Sequence, residues 1–143
     1  MANILPKARL HRLQLRDVIV DKIVCRRIGD FDPKAAYEPR VSLKAKVLSD
    51  TEVQSYLTLL INFPQDPKPF SLELRLRGLF VSEKPCKRSG LRQFAETAAL
   101  VPLLPWAREI VATLTRQMGF PPLMLPLINV LESVGNLTNE EDR

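Results

Sequence analysis

Three stretches between Arg40 and Phe80 alternate apolar and polar residues with a period of two. In Arg40–Val47, Val41, Leu43, Ala45 and Val47 share one parity, and Arg40, Ser42, Lys44 and Lys46 share the other. Val53, Leu57, Leu59, Ile61 and Phe63 do the same against Glu52, Gln54, Thr58 and Asn62. Phe70, Leu72, Leu74, Leu76 and Phe80 do so against Ser71, Glu73, Arg75 and Arg77. This period fits an extended strand whose successive side chains point to opposite faces. Each strand keeps one wet face, so the sheet is antiparallel; strands buried on both faces read as unbroken apolar runs. The connections agree. Ser49–Thr51 is a hairpin turn, and the prolines of Pro64–Pro69 form a turn that no strand ladder could cross.

A further strand precedes these, over about Leu10–Val24. Leu13 and Leu15 lie in one phase and Val18 and Val20 in the other, so the slip near Arg16–Asp17 predicts a bulge. Residues 26–39, RRIGDFDPKAAYEP, are too long for a hairpin turn and read as a crossover loop, with Phe31 and Tyr37 as its aromatics.

After Glu83–Gly90 the period becomes helical. Leu91, Phe94, Ala95, Ala98 and Val101 recur on one face, with Ser89 as the expected N-cap. Pro102 and Pro105 interrupt, and the helix resumes over Trp106–Met118, where Ile110 and Leu114 form an apolar face flanked by Val111 and Met118. Gly119 is the stop. The apolar, proline-held stretch from Phe120 to Asn129 leads into a short last helix around Ile128–Val134, and the acidic end 135–143 reads as a frayed tail. The expected fold is α+β: a four-stranded antiparallel sheet, a meander with a crossover loop after the first strand, followed by a long helix and a short C-terminal helix. Residues 1–143 form one domain with an ordered core at about 8–134.

Composition narrows the function. Cys25 and Cys86 read as free thiols, and with His11 alone beside them they cannot assemble a zinc set. A single histidine leaves no Ser-His-Asp or Cys-His arrangement, and Gly29, Gly78, Gly90, Gly119 and Gly135 are too scattered for a phosphate loop. No catalytic residue, metal or cofactor is therefore expected. No uninterrupted apolar run reaches membrane-spanning length and no signal-peptide core is present, so the expected location is the cytoplasm, without membrane insertion. The net charge of +5 is uneven, with residues 1–92 at +8 and residues 93–143 at −3. Lys44, Lys46, Arg75 and Arg77 on the wet face leave a nucleic-acid-binding module as the alternative function. Sheet readers of single strands stack bases on several aromatics, however, and Tyr56 is the only candidate there.

One segment fits none of the excluded classes. Leu104–Asn129 carries only Arg108, Glu109 and Arg116 as charges, with four prolines and the sole tryptophan. Its LPWARE (Leu104–Glu109), followed by MGFPPLMLPLINV (Met118–Val130), resembles the signature of the bacterial SecB export chaperones. RGLFVSE (Arg77–Glu83) and YEPRVSLKAKV (Tyr37–Val47) are more weakly similar to the end of that family's last strand and the start of its second, so the resemblance spans about Leu10–Val134.

The resemblance implies a chaperone that binds non-native polypeptides without ATP and holds them unfolded. It would hold unfolded preproteins for the SecA motor, or a single dedicated client such as an antitoxin. It also implies a homotetramer, a dimer of dimers packed through the long helix, with Trp106, Arg108, Glu109, Ile110 and Thr113 at the interface. By position, Phe31, Tyr37, Val130, Leu131 and Val134 would line the client groove, and Asp17, Asp21 and Glu73 would face the motor's basic tail.

Overall fold

The computed structural model describes residues 13–32, 36–64 and 66–125. The strands β1 (Gln14–Arg27), β2 (Glu38–Val47), β3 (Glu52–Asn62) and β4 (Phe70–Val81) form one antiparallel sheet in the order β1-β4-β3-β2. The meander is β2-β3-β4, and the crossover carries the chain from the β1 edge to β2 at the opposite edge. Register follows the alternation: Leu43 stands opposite Leu57, and Leu57 opposite Leu76. The inner rows Val53–Ile61 and Phe70–Phe80 are buried under two helices, α1 (Arg88–Glu96) and α2 (Leu100–Gln117). Ser55 is the polar exception in its row, and its hydroxyl donates to the Ala95 carbonyl at 2.6 Å. At Gly78 the α2 helix comes so close that an added Cβ would lie 2.7 Å from Leu103 Cδ2.

β1 departs most from the simple pattern. Its register shifts at Leu15/Asp17, as the sequence predicts, and again at Val20/Lys22, which it does not. Each bulge reverses the parity of the residues beyond it. Leu15, Val18 and Cys25 pack on the core, while Ile19, Val20, Ile23, Val24 and Ile28 are each 42–51% exposed along this edge.

The helices differ from expectation in three respects. The break falls at Thr97–Ala99, upstream of both prolines. Thr97 leaves helical backbone (φ −134°, ψ −76°), while Pro102 sits in the first turn of α2, where its missing N–H would have had no partner. Pro105 lies inside α2 and points outward. The cap of α1 is Lys87, in extended backbone and without a side-chain bond, so Ser89 falls inside the first turn. The buried face of α2 is Leu100, Leu103, Leu104, Ala107, Val111 and Thr115, one position round from the expected Ile110 and Leu114, which lie half-buried on its flank.

An 18-residue window within the Arg88–Gln117 helical stretch is apolar enough to cross a bilayer by length and composition, with 33% of it buried within the protein. Such a window tolerates two charges, so a count of uninterrupted apolar runs passes over it. Cys25 and Cys86 are both free.

Candidate client cleft

The end of α2 organises the site. Phe120 N–H donates to Thr115 O and Gly119 N–H to Arg116 O, each at 3.0 Å, with Gly119 at φ 88°, which is a Schellman stop. The buried Thr115 hydroxyl donates to Val111 O at 2.9 Å and accepts Leu123 N–H at 2.9 Å, folding the post-helix segment back beneath its own helix. From the other side Arg27 donates through Nη1 to Met118 O at 2.7 Å, with its guanidinium carbon 4.9 Å from the Phe120 ring centre. A Cβ on Gly119 would lie 2.9 Å from that Nη1.

The crossover is tied to the same corner. Ile28 and Gly29 N–H both donate to Pro69 O, at 2.9 and 3.0 Å, and Tyr37 OH donates to Met124 O at 3.3 Å. Five rings form a chain: Phe31 to Phe120 at 6.3 Å, Phe120 to Phe70 at 5.6 Å, Phe70 to Phe63 at 5.0 Å, and Phe63 to Tyr37 at 6.3 Å. Each spacing lies in the range of favourable ring pairing. They enclose, with Pro69, Pro121, Leu123 and Asp32, a cleft of about 170 Å³. Burial pushes the Tyr37 phenol and the Cys25 thiol above their ordinary pKa ranges, so both stay neutral at physiological pH. Cys25 Sγ rests 3.3 Å from Met118 Sδ. The cleft offers shape and apolar contact, with Asp32 as the one carboxylate among the described residues at its wall.

Phe31 and Tyr37 therefore do come together. Phe63, Phe70 and Phe120 complete the cleft although neither pattern nor resemblance assigned them to it. Their signal was position, since each ring lies at a strand end or just past the glycine stop, where an inward parity meets the sheet's rim. Val130, Leu131 and Val134, the last helix and His11 lie outside the described residues.

Among the carboxylates expected to face a motor, Glu73 is bound by Lys22 at 2.6 Å and Asp21 by Arg77 at 3.5 Å, while Asp17 pairs with no described residue. On the outward side of α2, Trp106 is 49% and Val101 63% exposed. Glu109 is exposed, and Ile110, Thr113 and Arg108 are half-buried. Arg108 Nε is enclosed without a hydrogen-bond partner among the described residues. No three His, Cys, Asp or Glu side chains among the described residues form a metal-binding group.

The sequence model of the SecB family, preprotein translocase subunit SecB, matches residues 2–132. The protein-export protein SecB of Mesorhizobium japonicum is 38% identical over 91 residues, covering 62% of this chain and 53% of that protein. That of Rhodospirillum centenum is 30% identical over 94 residues, covering 65% and 56%. That of Afipia carboxidovorans is 44% identical over 61 residues, covering 43% and 37%. The matches thus span about a third to just over half of these relatives' own lengths. Among solved structures, the Mycobacterium tuberculosis Rv1957 SecB-like chaperone, in complex with a ChAD peptide from the Rv1956 HigA1 antitoxin, shares the fold. Its TM-score is 0.73 at 20% identity, over 84% of this chain and 93% of that one.

Proposed function

The chain belongs to the SecB family, and from that premise we propose that it is an ATP-independent holdase of the cytoplasm that takes apolar segments of unfolded polypeptides into the five-ring cleft. The cleft carries the reading. It is open, and its described walls are aromatic and apolar with Asp32 as their one charge, so it accepts large side chains with little regard to their sequence. One buried Leu or Phe anchor contributes about 1.5–3 kcal/mol, which alone gives only weak binding. Useful affinity then requires several anchors of one client reaching several clefts, which an oligomer supplies.

The surface left bare on the protomer supports self-assembly. Val101 and Trp106 project from α2, and the aliphatics of β1 border a strand edge with no partner among the described residues. Exposed edges of this kind are usually covered. A second copy is the proposed cover, leading to the dimer of dimers. Between the two expected destinations, the dedicated client is better supported than a motor, because a basic tail would have to displace Lys22 and Arg77 from Glu73 and Asp21. The antitoxin peptide on the M. tuberculosis relative points the same way.

The test is light scattering of a chemically denatured, slow-folding protein diluted with one tetramer equivalent of chaperone. The native protein suppresses aggregation, and the Phe31→Ala/Tyr37→Ala double variant, still folded, needs roughly tenfold more, as expected for the loss of ~1.4 kcal/mol of contact. Equal protection by the double variant rules the cleft out.

A further inference from the structure

The sheet face turned away from the helices has no part in the cleft. Across β2, β3, β4 and β1, one row reads Lys44, Tyr56, Arg77 and Ile19, and the next reads Ser42, Thr58, Arg75 and Lys22. Along β2, Lys46 and Arg40 extend this face beyond Lys44 and Ser42 at either end. Its two innermost carboxylates, Asp21 and Glu73, are already held by Arg77 and Lys22. Lys44, Lys46, Arg75 and Arg40 are exposed and have no ion pair among the described residues. Of the remaining carboxylates of this face, Glu38 and Glu52 begin β2 and β3, and Asp17 is the fourth residue of β1, opposite Leu79. Among the free cations lie the neutral hydrogen-bonding groups Ser42, Thr58, Gln54 and Tyr56, with the apolar Leu60 opposite Arg40.

We propose that this face docks an acidic, extended polypeptide segment carrying carboxylates at alternate positions. Same-face residues of a strand are about 6.6–6.8 Å apart, and an extended segment lying along the strands presents its own alternate side chains at that same spacing. Carboxylates at i and i+2 therefore meet Lys44 and Lys46 on β2, with Arg75 on β4 as a further free cation two strands away. Main-chain carbonyls of the segment find hydroxyl donors at Ser42 and Thr58. Nucleic acid fits less well, because the one aromatic is tied through its hydroxyl to Gln54 Oε1 at 3.0 Å and stands alone between two cations, with no second ring to extend a stack. A basic segment meets like charge.

The probes are fluorescein-labelled peptides of about twelve residues alternating Glu with Ser, the same peptide with Lys for Glu, and an oligothymidylate of equal length, read by fluorescence anisotropy. The acidic peptide is expected to bind at least tenfold more tightly than the lysine peptide and to weaken several-fold between about 50 and 300 mM salt. The Lys44→Glu/Arg75→Glu variant is expected to lose at least tenfold, with client protection retained, since the cleft lies on the opposite face. A Lys44→Gln/Arg75→Gln variant, checked by thermal melting, reports the same loss should reversal disturb folding. Absence of acidic-peptide binding, unchanged binding by both variants, or tighter binding of the oligothymidylate each overturns the proposal.

Discussion

Replacing Thr115 by Val isolates what holds the cleft's far wall. The side chain is fully buried, and valine keeps its branched shape while removing the hydroxyl. The lost donor matters little at Val111 O, which keeps its place in the helical ladder. The lost acceptor matters more, because Leu123 N–H, 2.9 Å away, is then left without a partner in a half-buried position. An orphaned buried donor costs about 1–3 kcal/mol. Thr115→Ser keeps the hydroxyl and loses one methyl, about 1 kcal/mol.

Urea unfolding at fixed protomer concentration measures both variants, because assembly makes the midpoint concentration-dependent. Hydrogen exchange then separates them, since the Leu123 amide is slow in the native and serine proteins and fast in the valine variant. Peptide affinity falls with it, because Leu123 and Pro121 line the cleft. A valine variant within about 0.5 kcal/mol of native, or one whose Leu123 amide stays protected, refutes the account.

Gly119→Ala places a Cβ at φ 88° and against Arg27 Nη1; a loss of about 1–2 kcal/mol is expected in thermal or urea melts, and less for Gly119→Asn. Trp106→Glu is expected to leave the protomer folded while lowering the mass seen by light scattering, and an unchanged mass removes this face from the interface. Burial raises the Cys25 thiol, so iodoacetamide at about pH 8.5 should label it more slowly in the native protein than in urea. By linkage, its contribution to stability is complete below the ordinary thiol range and declines as pH rises toward the folded value, so Cys25→Ser should flatten that decline.

The sheet was legible because a half-buried strand writes its two faces directly into alternate positions, as at Leu57, Leu59 and Ile61. The long helix was legible in existence but not in rotation. Ala107 and Thr115 look too small or too polar for a core line, yet both lie under α2, the second with its hydroxyl satisfied by partners that no local pattern reveals. The prolines drew the expected break downstream of its true place, because proline in a first turn costs no hydrogen bond. The second bulge of β1 hid at Asp21–Lys22, between the aliphatic pairs Ile19–Val20 and Ile23–Val24, each of which offers an apolar residue to either face. Two of the cleft's rings could be assigned from the loop and the family resemblance. The other three depend on Arg27, Pro69 and the glycine stop meeting at one corner, contacts between residues tens of positions apart.

The order β1-β4-β3-β2 has a consequence for synthesis. β2 and β3 close over a turn of four residues, whereas β1 must wait for β4 across more than forty intervening positions. The longer closure costs roughly 2 kcal/mol more in chain entropy. At about 5–20 residues per second, a ribosome would make the finished first strand idle for some seconds before its neighbour β4 emerges. During that interval the bare row Ile19, Val20, Ile23 and Val24 belongs to a nascent chain in the same exposed condition as the guests this protein is proposed to shelter.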